Sequence, residues 1–192
     1  MLPIYAACSE GDRENIELCE RYGVQFCVVP NNPLGAKWNA ALGLVPSGED
    51  VMILGSDDFV SREWIDITQQ ARQEGKDYVT PSACGMFDLD TGQACILRRN
   101  GHGAQIFGAG RVLSARVVEA VCPMWTDVKD RALDSDAHAK VVGSGFVRHT
   151  LDSERVPVTD VKSGENLWGY QTWAWCGKVS TKEDVLWMVT GW

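Results

Sequence analysis

The feature that most constrains this chain is an alternation, between Pro3 and Glu74, of short apolar runs with segments of helical period. Pro3 to Cys8 is an apolar run of strand length. Arg13 to Tyr22 then sets Ile16, Cys19 and Tyr22 at helical spacing, and Gly23 closes the segment. Val24 to Val29 is nearly continuous apolar sequence, which predicts a strand covered on both faces. Pro30-Asn31-Asn32-Pro33 reads as a loop, followed by a helix from Gly35 carrying Trp38, Ala41, Leu42 and Val45. After the turn Pro46-Ser47-Gly48, Val51 to Leu54 predicts a third buried strand, with Gly55-Ser56-Asp57-Asp58 at its carboxyl end. Ser61 is the expected N-cap of a helix running to about Glu74. The order β-α-β-α-β-α predicts an α/β fold, Rossmann-like, with a mixed, mainly parallel sheet flanked by helices.

The second half changes character. Tyr78 to Pro81 reads as a strand, and Met86 to Leu89 with Ala94 to Leu97 flank Asp90-Thr91-Gly92-Gln93 as a hairpin. Gly101, Gly103, Gly108 and Gly110 mark a glycine-rich stretch. Arg111 to Val121 is expected to be helical, as is Asp134 to Val142. The tail is rich in tryptophan: Trp168, Trp173, Trp175, Trp187 and Trp192. With 192 residues and no repeat, linker or low-complexity tract, one domain over 1–192 is the economical expectation.

Composition narrows the function classes. The chain is 45% hydrophobic and 23% charged, which excludes disordered and fibrous proteins. A formal charge of −8 argues against a strongly basic nucleic-acid clamp. No apolar run approaches the ~20 residues of a membrane span, and Met1 to Cys8 lacks the basic flank of a signal peptide, so the expectation is a cytoplasmic protein without a membrane partner. Seven cysteines, none in a Cys-x-x-Cys pair and most among apolar neighbours, read as reduced core thiols rather than a zinc site.

In parallel α/β sheets ligands bind beyond the carboxyl ends of strands. Two such ends carry acidic or polar clusters here, Ser9-Glu10-Gly11-Asp12 and Ser56-Asp57-Asp58. Adjacent carboxylates leaving a buried strand suit a hard cation, Mg²⁺ or Mn²⁺, which prefers oxygen and readily holds a diphosphate. The competing reading is an Asp-rich turn capping the next helix.

Asn32-Pro33-Leu34-Gly35-Ala36-Lys37-Trp38-Asn39 followed by Val51 to Asp58 resembles the donor half of family-two-like glycosyltransferases of the GT-A fold. Phe107-Gly108-Ala109-Gly110-Arg111 to Arg116 is similar to the glycine loop and helix of that family's acceptor half. Trp125 through Leu133-Asp134-Ser135-Asp136 resembles the segment carrying its catalytic carboxylate, and Val158 to Asn166 is similar to a late segment of phage-type members. The resemblance spans roughly residues 4 to 170 and divides the chain into a nucleotide-sugar-binding half, 1–75, and an acceptor half, 76–192. It departs from the family in three places. The first acidic position of Asp-x-Asp-Asp is Gly55, the usual Glu-Asp is Leu133-Asp134, and the chain is expected to begin one β-α unit late.

The resemblance implies transfer of a sugar from a nucleoside-diphosphate sugar to an acceptor hydroxyl. Asp57 and Asp58 are the candidate ligands of Mn²⁺ or Mg²⁺, and since side chains diverge along extended backbone, one is expected to meet the metal and the other the ribose or sugar. Ser9, Glu10, Lys37, Asn39, Ser56 and Lys162 are the further donor-binding candidates, and Asp134 or Asp136 the general base. If a helix starts at Ser135, Asp134 is instead its N-cap. His149 reads as a strand-edge histidine rather than a metal ligand. The acceptor is open. A hydroxymethylated base in DNA is one candidate, and Arg98, Arg99, Arg111 and Arg116 its basic contacts. Without the family's first β-α unit the edge at Ile4 to Cys8 would be uncovered, so the expectation is self-association as a homodimer, loose nucleotide selectivity, or both. Two rivals stand beside this reading. A nucleotidyltransferase has a similar sheet, but its glycine-rich first loop is absent. A truncated, inactive GT-A domain would serve as a binding or assembly module.

Overall fold

The computed structural model describes residues 2–98, 107–127, 129, 132–164, 170–171 and 177–188. Chain order is β1 (Tyr5–Ser9), α1 (Arg13–Tyr22), β2 (Gln25–Val29), α2 (Leu34–Leu42), β3 (Val51–Ile53), β4 (Asp58–Val60), α3 (Arg62–Gln73), β5 (Tyr78–Pro81), β6 (Ala83–Asp88) and β7 (Ala94–Arg98). It continues with β8 (Arg111–Leu113), α4 (Ala115–Val121), α5 (Leu133–Gly143), β9 (Arg148–Leu151), β10 (Val158–Lys162), β11 (Lys178–Ser180) and α6 (Lys182–Leu186). This is a mixed α/β fold of sheets flanked by helices.

The chain forms two compact units, Met1–Val51 with Ala115–Phe146, and Met52–Ser114 with Val147–Trp192. In the first unit β1 and β2 pair in parallel, Tyr5 opposite Gln25 through Ser9 opposite Val29. The connecting helix α1 starts where Asp12 accepts the Asn15 N–H and stops at Gly23, whose left-handed backbone ends it. Val28 is 47% exposed, so β2 is half-covered where its apolar run suggested two buried faces. Gly35 opens α2 against a neighbouring segment so closely that a Cβ there would lie 2.0 Å from the Thr126 carbonyl oxygen.

The second unit contains a five-stranded sheet of order β11-β7-β6-β10-β4 and, with β3 at its edge, a four-stranded sheet of order β3-β8-β5-β9. Parallel pairs (β10 with β6, β5 with β9) mix with antiparallel ones (β10 with β4, β6 with β7, β7 with β11, β5 with β8). The expected hairpin is β6–β7, with Phe87 opposite Ala94. Trp64, Ala71, Val79, Val112 and Val158 form the central cluster. The Trp64 indole donates to the Gly110 carbonyl at 2.8 Å, which satisfies the one polar group a fully buried tryptophan carries. Gly110 has φ 72°, and a Cβ there would meet Val158 at 2.3 Å.

Arg111 to Val121 is not one helix. Arg111–Leu113 is a buried strand pairing with β5, and the helix begins at Ala115, where Asp50 accepts its N–H at 2.9 Å. A short apolar run fits strand and helix period equally, and pairing with β5 decides it. Asp58 likewise starts a short strand rather than leading straight into a helix. Cys8, Cys19, Cys84 and Cys95 are buried and outside any disulfide, Cys27 is half-buried and Cys122 is exposed, while Cys176 lies outside the described residues.

Candidate functional site

The acidic site of the second unit is built by one turn and one strand. Between β3 and β4 the chain reverses at Gly55-Ser56-Asp57-Asp58. The Asp58 N–H donates to the Gly55 carbonyl at 3.2 Å, and the Gly55 N–H to Asp58 Oδ2 at 2.5 Å. A Cβ on Gly55 would lie 2.7 Å from Asp57 Oδ1, so the lost first acidic position is a glycine that makes room for the two carboxylates. The Val161 N–H ties the turn to β10 through the Asp57 carbonyl at 2.8 Å. Because β4 runs antiparallel to β10, Asp58 stands opposite Asp160. Lys162, two residues on, shares the face of Asp160.

Asp57, Asp58 and Asp160 each offer a carboxylate oxygen within 4.8 Å of the others. Asp57 and Asp58 therefore converge, against the expected divergence, because Asp57 sits in a turn and not in extended backbone. Lys162 Nζ lies 2.7 Å from Asp160 Oδ2 and 3.3 Å from Asp57 Oδ2, with only 9% of its side chain exposed. It is a buried counter-ion to these carboxylates. Asp160 was absent from the residues singled out in the sequence. The signal was the pattern Asp160-Val161-Lys162, in which an acid and a base alternate onto one face of a strand.

Electrostatics follow from burial. Burial and the neighbouring charge of Asp160 raise the Asp58 carboxyl to about 7. Burial raises Asp160 to about 6 despite the Lys162 ammonium beside it. Burial alone would lower Lys162, but Asp160 and Asp57 outweigh it and hold the ammonium above its ordinary value. Asp160 Oδ1 is buried and accepts no hydrogen bond from the described residues. Three carboxylates and one ammonium leave two negative charges in excess when all are ionised. An oxygen-only donor set, one unsatisfied buried oxygen and that excess fit a single Mg²⁺ or Mn²⁺. His149 lies in β9, the edge strand of its sheet, outside this cluster. Ser56 is exposed in the same turn.

The first unit holds the remaining candidates. Ser9 ends β1, and Lys37 projects from α2 to donate to Ser9 Oγ at 2.7 Å and Asn31 Oδ1 at 3.4 Å. Ser9 Oγ in turn donates to Asn31 Oδ1 at 2.9 Å. Glu10 is exposed, its N–H extending the ladder to the Val29 carbonyl. Asn39 is tied to backbone. Its Nδ2 donates to the Trp125 carbonyl and to Asp127 Oδ1, both at 2.7 Å, and its Oδ1 accepts the Trp125 N–H at 3.0 Å. That clamp holds Trp125 with its ring centroid 5.4 Å from Trp38.

Asp134 and Asp136 lie in the first turn of α5, where a helix N-terminus favours acids. The helix begins at Leu133 with Ala132 in left-handed conformation as its N-cap, so Asp134 is not the cap. Asp136 pairs with Lys129 at 2.7 Å and lines an open cavity of about 540 Å³ with Met124, Trp125, Asp127 and Lys140. Of the arginines considered for a nucleic acid, Arg111 is buried and donates from Nε to the Gly108 carbonyl, so it is a fold residue. Arg99, Gly101, Gly103, Asn166, Trp168, Trp173, Trp175 and Trp192 lie outside the described residues.

No family model and no curated protein matches the sequence. Among solved structures, the inositol-1-phosphate CTP transferase from T. maritima superposes with a TM-score of 0.53 and 16% identity, over 88% of this chain and 73% of that one. The chain thus shares the fold of a nucleotide transferase. That neighbour is of the class against which the missing glycine-rich first loop argued.

Proposed function

We propose that this protein is a metal-assisted glycosyltransferase that takes a sugar from a nucleoside-diphosphate sugar and delivers it to an acceptor hydroxyl. The observation that carries the reading is the convergence of Asp57, Asp58 and Asp160 into an oxygen-only cluster that, once all three are ionised, outweighs Lys162 by two negative charges. Asp57, Asp58 and Asp160 would hold a divalent cation, which would supply charge neutralisation of the diphosphate leaving group. Lys37, Ser9 and Glu10 in the first unit and Ser56 in the second are each proposed as donor contacts, while Asn39, its amide committed to Trp125 and Asp127, is proposed as a positioning residue. Asp134 or Asp136 takes the acceptor proton, Asp136 once Lys129 has turned aside. The acceptor class extends to a hydroxymethylated pyrimidine in DNA.

A second reading, nucleotidyl transfer from a nucleoside triphosphate to a sugar phosphate, is favoured by the fold shared with the CTP transferase. One assay separates them. With Mn²⁺ present, glycosyl transfer or donor hydrolysis releases nucleoside diphosphate from a panel of nucleotide sugars. Nucleotidyl transfer releases pyrophosphate from CTP or UTP with a sugar or polyol phosphate. Release of neither would point to a binding or assembly module.

A further inference from the structure

We propose that Lys162 is a tethered cation that competes with the divalent ion for the carboxylates of Asp57 and Asp160, and so sets how tightly the site takes metal. The inference deepens the metal-assisted reading above and rests on it in part. Its basis is geometric. The ammonium lies 2.7 Å from Asp160 Oδ2 and 3.3 Å from Asp57 Oδ2, which are two of the three acids able to share an ion. The lysine reaches them from inside the protein, since its side chain is only 9% exposed. β10 sets it in place, because Lys162 and Asp160 are two residues apart on one strand whose neighbours are β4 and β6.

Asp58 and Asp160 face one another across β4 and β10, an arrangement in which like charges repel. The lysine relieves part of that repulsion and gathers Asp57 and Asp160 around itself. Asp160 Oδ1, the oxygen that the ammonium leaves without a partner, remains buried. A divalent ion entering among the three acids meets a fixed positive charge already bound to two of its ligands, and must share or displace it. Without that charge the cluster is more negative and more divided against itself. It then binds metal more tightly and depends on metal more for its stability.

The experiment compares wild type, Lys162→Met and Lys162→Arg by thermal unfolding in EDTA and across a Mn²⁺ and Mg²⁺ titration at pH 8. Methionine matches the buried stem without the charge, and arginine retains it. Lys162→Met should unfold lower in EDTA, gain more from metal, and reach half-saturation at a concentration lower by roughly tenfold or more. Lys162→Arg should respond like wild type. Lys162→Gln, whose amide can still donate to Asp160, carries the same test if the methionine variant does not fold. If wild type shows no metal response and the neutral variant acquires one, the lysine holds the ion's place and only the metal-assisted function falls. If wild type binds metal and the neutral variants bind it no more tightly, the competition is overturned and the function stands. If none of them responds, both fall.

Discussion

The ionisable groups of the two units live in different surroundings. In the first unit Lys37 meets two neutral acceptors, Ser9 and Asn31. Its candidate base acids, Asp134 and Asp136, sit at a helix start, one of them paired with a half-exposed lysine. In the second unit Lys162 is buried between carboxylates, and two of those acids are raised far above their ordinary range. A lysine beside neutral acceptors keeps its charge for an incoming anion. A lysine beside acids has its charge answered internally, and the acids around it are what an incoming cation meets. Two lysines that the sequence offered alike as donor-binding candidates therefore have different surroundings.

The harshest break of this contrast removes the acids. Asp57→Asn with Asp58→Asn should abolish Mn²⁺-dependent binding of nucleoside diphosphate while circular dichroism stays native. Equal binding of UDP or GDP by wild type and double variant, measured calorimetrically, would refute a metal role for the second unit. For the candidate acids of the first unit, Asp134 and Asp136, the proposed role is kinetic. Loss of a positioned base typically costs about 10²–10⁴-fold in rate, so Asp134→Ala or Asp136→Ala should slow transfer by that order with donor affinity unchanged. Unaltered turnover in both would remove the base from α5.

Lys37→Met sharpens the comparison of the lysines. Loss of one charge-assisted hydrogen bond to phosphate should weaken nucleoside diphosphate binding roughly tenfold to hundredfold, with metal affinity unmoved. A change in metal affinity instead would erase the distinction drawn between the two ammonium groups.

A smaller effect concerns pH. Asp58 and Asp160 titrate near 7 and 6 in the folded chain, whereas an unfolded aspartate titrates near ~3.9. Between these values the folded state holds protons that the unfolded state has released, so stability falls as pH rises from about 4 to about 7. Asp58→Asn with Asp160→Asn removes that loss. In EDTA its stability relative to wild type should climb across the same window in urea melts, and a flat difference would contradict the burial of these acids. The smallest expected change is Asn39→Ala, which leaves the Trp125 N–H and carbonyl without their side-chain partner. A cost of about 1–3 kcal/mol is expected, read as a shifted urea midpoint. No shift would mean that the clamp is replaced by water.

Much of the fold was legible in residues 3–74. The α1 bounds, the Ser61 cap and the Tyr78–Pro81 strand follow from local chemistry, a cap or glycine at one end and an apolar period between. Arg111–Leu113 was illegible because three residues carry no period, and only pairing with β5 makes them a strand. Asp57 and Asp58 were visible as adjacent acids after an apolar run. Their convergence was not, since it depends on a turn that Gly55 permits and on β10 crossing opposite.

The sequence by itself determined the alternating elements, the α/β class and which residue types could meet a cation or a phosphate, because these are properties of neighbours along the chain. Only the tertiary structure decided which charges face which. Asp160 lies 102 positions beyond Asp58 and Lys162 lies 105 beyond Asp57, yet strand pairing brings them to one point. The reason is physical. Burial and Coulomb forces act through space, so an acid's charge state and a lysine's role are set by partners that no local window of sequence contains.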